Sequence, residues 1–127
     1  MLFRSVDIFA PCALGGAVNP KTLPQISARV IAGAANNQLS APVMAEALTR
    51  AGKLYAPDYV INAGGIINVD AEVSHKRYDP AWVQGKLDEL ENTLGEVFDR
   101  AKANGLTTVE VADALARKRM AEVRDWR

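Results

Sequence analysis

Three short apolar, β-prone runs recur along the first half of the chain at intervals of about 20–25 residues, each leading into a loop of small and amide side chains. They fall at residues 6–10, 29–33 and 59–61. Turns or short helical stretches fill the gaps, which is the rhythm of βα units in a parallel sheet. Strands in such sheets are covered on both faces and read as continuous apolar runs rather than alternating ones. The predicted fold class is therefore α/β, with a doubly wound, Rossmann-like parallel sheet. Ligands bind such sheets just outside the carboxyl ends of the strands.

The third run has the most informative exit. Tyr59, Val60 and Ile61 read as a strand, Asn62 stands at its end, and Ala63-Gly64-Gly65 leaves a backbone that a ligand can approach closely. Asn62 can both donate and accept through its amide. The residues alone also allow a plainer reading, with Gly64-Gly65 as a tight turn and Asn62 as a helix cap. The second run ends in Ala34-Ala35-Asn36-Asn37, again with amides. The first ends in Pro11-Cys12-Ala13-Leu14-Gly15-Gly16.

Between the runs, residues 21–27 read as a short helix or turn interrupted by Pro24. Ser40-Ala41-Pro42 opens a helix over residues 43–51 that stops at Gly52. A helix follows the glycines from Ile66 to about Lys76, with Ile66, Val69 and Val73 on one face. Asp79-Pro80 caps a long helix running to Asn104-Gly105, with an apolar stripe of Val83, Leu87, Leu90, Leu94, Val97 and Ala101. Gly85 and Gly95 inside it cost about 1 kcal/mol each, so tertiary packing has to hold it. Thr107-x-x-Glu110 has capping-box spacing and opens a last helix with Val109, Ala112, Ala116, Met120 and Val123 on one side.

Charge divides the chain sharply. Residues 1–70 carry 9 charged side chains and residues 71–127 carry 21, so the first part reads as buried sheet and the second as solvated amphipathic helices. The 15 basic and 15 acidic residues cancel, which gives no electrostatic case for nucleic acid or an anionic membrane. Arg117, Lys118 and Arg119 read as a solvated helix end favoured by the dipole. The single cysteine, Cys12, excludes an internal disulfide and fits a cytoplasmic location, and no apolar run is long enough to span a bilayer.

No catalytic constellation is visible. His75, the one histidine, has no partner at metal-ligand spacing and reads as a surface helix residue, so no metal is expected. Cys12 has no acid or base partner and reads as a small residue in a close-approach loop. Neither a Gly-x-Gly-x-x-Gly fingerprint nor a Gly-Lys-Ser/Thr phosphate loop is present. What remains is a set of Ala-, Gly- and Asn-rich loops suited to something flat and uncharged.

Three stretches resemble a known family in order and spacing: Phe9-Ala10-Pro11-Cys12-Ala13-Leu14-Gly15-Gly16, Val30-Ile31-Ala32-Gly33-Ala34-Ala35-Asn36-Asn37-Gln38-Leu39, and Tyr55-Ala56-Pro57-Asp58-Tyr59-Val60-Ile61-Asn62-Ala63-Gly64-Gly65. The likeness is to the carboxyl-terminal half of the leucine/valine/phenylalanine dehydrogenases of the glutamate dehydrogenase superfamily. It implies oxidative deamination of an L-amino acid to a 2-oxo acid and ammonia, with hydride passing to NAD, in a homo-oligomeric enzyme. It also implies that Cys12 and Ala13 lie along the dinucleotide, Asn36 near the nicotinamide ribose and Asn62 at the nicotinamide end. Ile66 and Val69 would line an aliphatic substrate pocket suited to leucine, isoleucine or valine.

The family's catalytic lysine and aspartate lie in an amino-terminal domain, and its glycine fingerprint in a first βαβ unit, none of which matches this sequence. Residues 6–69 are thus expected to be the second half of a dinucleotide-binding domain and residues 70–127 a helical segment, inactive alone, binding NAD weakly or not at all. Leu2-Phe3-Arg4-Ser5 reads like the translated end of a sequencing adapter, so residues 1–5 are expected to be a non-native leader. Half a sheet exposes an edge, which predicts poor solubility or self-association. The alternative reading is a non-catalytic nucleotide-binding or subunit-interaction module, and a helical interaction piece built on residues 79–123 leaves the Asn-Ala-Gly-Gly turn without a purpose.

Overall fold

The computed structural model describes residues 6–74 and 77–124; residues 1–5 and His75 lie outside them. Three parallel strands, β1 (Ile8–Phe9), β2 (Val30–Ile31) and β3 (Leu54–Tyr55), form a sheet in the order β1-β2-β3. Ile8 pairs with Val30 and Val30 with Leu54, and one residue on Phe9, Ile31 and Tyr55 lie abreast. The chain is α/β with a Rossmann-like parallel sheet.

The strands are short for a local reason. Pro11 and Pro57 each follow β1 and β3 by two residues and offer no ladder N–H. After β2 the constraint is steric. A Cβ on Gly33 would drive into the Pro11 backbone, with the carbonyl carbon at 2.7 Å. Glycine is required there by close approach of the two strand-end loops.

Helix α1 (Val43–Arg50) crosses from β2 to β3 and buries Met44, Ala45 and Leu48. Pro42 precedes it and no side chain caps it, so Ser40 does not play the capping role expected. Gly52 follows at φ 66°. Met44 and Leu48 join Val18, Ile26, Ala28, Ile31 and Tyr55 in the sheet-side core.

The third strand is not where the sequence places it. Tyr59, Val60 and Ile61 belong to a short helix, α2 (Asp58–Ile61), and the strand is Leu54–Tyr55. Pro57 stops the ladder in an extended conformation (ψ 128°), and Asp58 then starts helical backbone. The glycines are likewise helical: the turn lies at residues 62–63, and α3 (Gly64–Val73) begins at Gly64 instead of at Ile66.

Helix α4 (Pro80–Asn104) starts as expected, with the Asp79 carboxylate accepting from the N–H groups of Ala81 (2.9 Å) and Trp82 (3.2 Å). It ends on Gly105 at φ 65°. Helix α5 (Thr108–Arg124) opens on the capping box: Thr107 N–H donates to Glu110 Oε2 at 2.8 Å and Glu110 N–H to Thr107 Oγ1 at 3.1 Å. The Thr107 N–H and the Thr107 hydroxyl, which also donates to Glu110 Oε2 at 2.8 Å, lower the Glu110 carboxyl below its ordinary range. Val97 and Ala101 of α4 pack on Val111, Ala112 and Leu115 of α5 as a second core. The buried face of α5 is thus rotated from the expected one: Met120 is exposed, and Val111 and Leu115 take the inside.

Candidate functional site at the carboxyl ends of the strands

The loops leaving β1, β2 and β3 meet above the sheet. Gly16 N–H donates to the Asn37 carbonyl (2.7 Å), Ala35 N–H to Pro11 O (2.9 Å) and Val18 N–H to Gln38 O (2.9 Å). A Cβ on Gly15 would stand 3.0 Å from the carbonyl oxygens of both Asn36 and Asn37, so this glycine permits the contact. Gln38 is wholly buried and donates through Nε2 to the carbonyls of Gly33 (2.5 Å) and Ala35 (3.0 Å). Its Oε1 has no partner among the described residues.

On this platform Asn62 Nδ2 donates to Asn36 Oδ1 at 2.5 Å, joining the exits of adjacent strands. Both amides line an open groove of about 1110 Å³, with Ile66 at its α3 side and Val109 and Asp113 at its α5 side. The lining contains no lysine or arginine. Its two carboxylates are occupied by tyrosines: Tyr55 donates to Asp58 at 2.7 Å and Tyr59 to Asp113 at 2.8 Å. Desolvation first, and these hydrogen bonds second, push both phenols above their ordinary value. They stay protonated donors at neutral pH, so the groove can bind a neutral, hydrogen-bonding group but has no poised acid or base.

The remaining candidates are dispersed. Cys12 and Ala13 are exposed on the loop after β1, outside the groove lining, and Cys12 Sγ accepts from Ala34 N–H at 3.5 Å. Ile66 and Val69 stand on the outward face of α3, exposed by 73% and 55%; Ile66 reaches the groove lining and Val69 does not. They are not helix core; Ala71 is buried on the opposite side. Sequence reasoning missed Asp58, Tyr55 and Asp113. The Tyr-x-x-Asp spacing of 55 and 58 was the available signal, and nothing local foretells Asp113, which arrives from a helix 54 residues beyond Tyr59.

Among the described residues no three or more His, Cys, Asp and Glu side chains are grouped to hold a metal, and no helix is long and apolar enough to cross a membrane.

Comparison with known proteins agrees with the geometry. The profile of the Glutamate/Leucine/Phenylalanine/Valine dehydrogenase family matches residues 1–127. A valine dehydrogenase of Streptomyces albus is 46% identical over 121 residues, 95% of this chain and 33% of its own length. A leucine dehydrogenase of Geobacillus stearothermophilus is 44% identical over 121 residues, 95% of this chain and 32% of its own. The crystal structure of L-tryptophan dehydrogenase from Nostoc punctiforme superposes with a TM-score of 0.88 at 44% identity, covering 98% of this chain and 37% of that one. The chain spans about a third of the length of the curated relatives it matches. By profile, identity and fold alike, the chain belongs to the glutamate/leucine/phenylalanine/valine dehydrogenase family.

Proposed function

We propose that this chain forms the nicotinamide side of the cofactor site, and one wall of the substrate pocket, of an NAD-dependent L-amino-acid dehydrogenase acting on a branched-chain substrate. Residues 6–69 belong to the dinucleotide-binding half and residues 70–127 to the helical segment behind it. The observation that carries this is the Asn36–Asn62 hydrogen bond across two strand exits, beside the outward-facing Ile66. That pair does not engage Asn62 Oδ1, an acceptor, or the Asn36 NH₂, a donor, and so leaves both groups for a ligand. The nicotinamide carboxamide has the complementary donor and acceptor. Gly65 adds an open backbone, since a Cβ there would meet nothing within 4 Å. The residues therefore fit the cofactor, which when bound supplies the hydride acceptor.

The role of each residue follows from its placement. Asn36 and Asn62 orient the carboxamide. Cys12 and Ala13 run beside the dinucleotide, mainly through backbone. Ile66 and Val69 exclude water and favour an aliphatic side chain, because a side-chain carboxylate on the substrate would find no cation there. None of these groups transfers a proton, so the chain alone is inactive and its affinity for NAD is weak without a pyrophosphate anchor.

A hybrid tests the reading: residues 6–124 replace the matching third of the Geobacillus leucine dehydrogenase. The expected result is NAD-dependent deamination of leucine or valine by the hybrid, none by the isolated chain, and a loss of about 10-fold or more in kcat/KM on Asn62→Ala. A folded hybrid without activity, or with activity indifferent to Asn62, overturns it.

A further inference from the structure

We propose that Asp58 is a positioning residue that fixes the Asn36–Asn62 amide pair through the backbone of Asn37. Asp58 starts α2 at the exit of β3, and its carboxylate bridges two elements. Oδ1 accepts from the Tyr55 hydroxyl at 2.7 Å, and Oδ2 accepts from the Asn37 backbone N–H at 2.8 Å. The Asp58 N–H returns to the Tyr55 oxygen at 3.3 Å. Tyr55 is buried in the sheet-side core, so the carboxylate is anchored to a group that does not move. A carboxylate held this way places both of its acceptors.

What it holds is a strained link. Asn37 is the one non-glycine at positive φ among the described residues, at 54°. Asparagine tolerates the left-handed region better than most residues but still at some cost. The carbonyl side of Asn37 is clamped by the Gly16 N–H at 2.7 Å, against the surface that Gly15 leaves free. Its N–H side is clamped by Asp58. That N–H belongs to the peptide bond joining Asn36 to Asn37, so its direction sets the plane from which the Asn36 side chain reaches Asn62. Asp58 opens the short helix α2 and Asn62 caps its end, with Asn62 N–H donating to the Asp58 carbonyl at 2.9 Å. One residue thus determines where both halves of the amide pair stand. No proton moves and no substrate is touched, so the role is geometric.

This inference deepens the proposed function and rests on it for its biological meaning, but its test does not pass through NAD. On the ¹⁵N-labelled 127-residue chain, backbone exchange at Asn37 and the side-chain NH₂ resonances of Asn36 and Asn62 are followed by NMR, the latter assigned by their loss in Asn36→Ala and Asn62→Ala. Asp58→Ala is expected to speed exchange at Asn37 about tenfold or more and to move both side-chain resonances toward free-amide positions. Tyr55→Phe, which keeps the ring in the core, should give the same pattern at smaller size. Asp58→Asn retains an acceptor for Asn37 and should restore most of the protection. Asp113→Ala, on the other side of α2, should leave all three signals in place. If Asp58→Ala or Tyr55→Phe leaves the chain folded with these signals unchanged, the proposal is overturned; if Asp58→Ala does not fold, Tyr55→Phe and Asp58→Asn decide it. An inactive hybrid enzyme would sink the functional reading while leaving this result standing.

Discussion

Val18, Ile31 and Leu48 in the sheet half are completely covered, whereas Ile66, Val69 and Val73 on α3 are 55–79% exposed although they are just as apolar. The sheet half is closed on one face, where α1 and the loops before β2 fold over Phe9, Ile31 and Tyr55. The expectation of strands covered on both faces fails at the other face, where Ile8 and Leu54 are 58% and 40% exposed. Helix α3 has apolar residues on two faces and packs mainly on α4. It turns Ala71 inward, and Gly64 brings its first turn close to Leu87 of α4, 3.6 Å from where a Cβ would stand. Its opposite face stays exposed. Within one chain, then, equal hydrophobicity goes with full burial where a second element packs over it and with exposure where none does.

Substitutions in the two regions should separate them. Gly33→Ala forces a methyl into the Pro11 backbone, and neither strand-end loop can yield without losing the hydrogen bonds between them. We expect a loss of about 3 kcal/mol or more, or failure to fold, by urea denaturation. Leu48→Ala, in the same core, should cost about 2–5 kcal/mol. A loss under about 1 kcal/mol for either would mean that the covered face of the sheet is not the packed core described.

The helical half should instead tolerate gains. Gly85 and Gly95 lie in α4, and a Cβ at either would meet nothing within 4 Å. Replacing each with alanine should raise stability by about 0.5–1 kcal/mol, read as a higher melting temperature. No gain would show that α4 is strained or covered at those points.

Acid should loosen the same half selectively. The Glu110 carboxyl is lowered by the Thr107 N–H and hydroxyl, so its folded value lies below the ordinary 4.5. The sign follows: its contribution is complete above about pH 4.5 and is lost as pH falls through the lowered folded value. Protection factors of the amides in the first turn of α5, with the intrinsic pH dependence of exchange divided out, should fall there in the native chain and stay flat with pH in Glu110→Ala.

The smallest stability effect is expected on α3. Ile66→Thr and Val69→Thr should change the unfolding free energy by no more than about 0.5 kcal/mol while reducing self-association in sedimentation velocity. In the hybrid enzyme the same pair should lower kcat/KM for leucine, which distinguishes a pocket wall from an idle surface.

Helix ends were the most legible part of the chain, because caps are local. Asp79 with Pro80, Gly105, and Thr107 with Glu110 all act as their spacing predicts. The amides that meet, Asn36 and Asn62, were also visible, since Asn36 ends a run of small residues after β2 and Asn62 stands between an apolar run and Ala63-Gly64-Gly65. Strand placement at the third position was not. Tyr59-Val60-Ile61 is more β-prone than Leu54-Tyr55, but Pro57 cuts the ladder and β2 offers partners only to the two residues before it. Nor were Asp58 and Asp113, whose tasks depend on backbone and hydroxyl groups 21 and 54 residues away.

The sequence by itself determined the parallel α/β architecture, the capped helices and the family, through apolar runs, cap residues and long motifs that each act over a few positions. Tertiary structure alone decided which face of α3 and α5 is covered, that residues 58–61 are helical, and that Asp58 holds the Asn37 backbone. Periodicity says which side chains share a face, but burial is a property of what packs against it, and that neighbour comes from elsewhere in the chain.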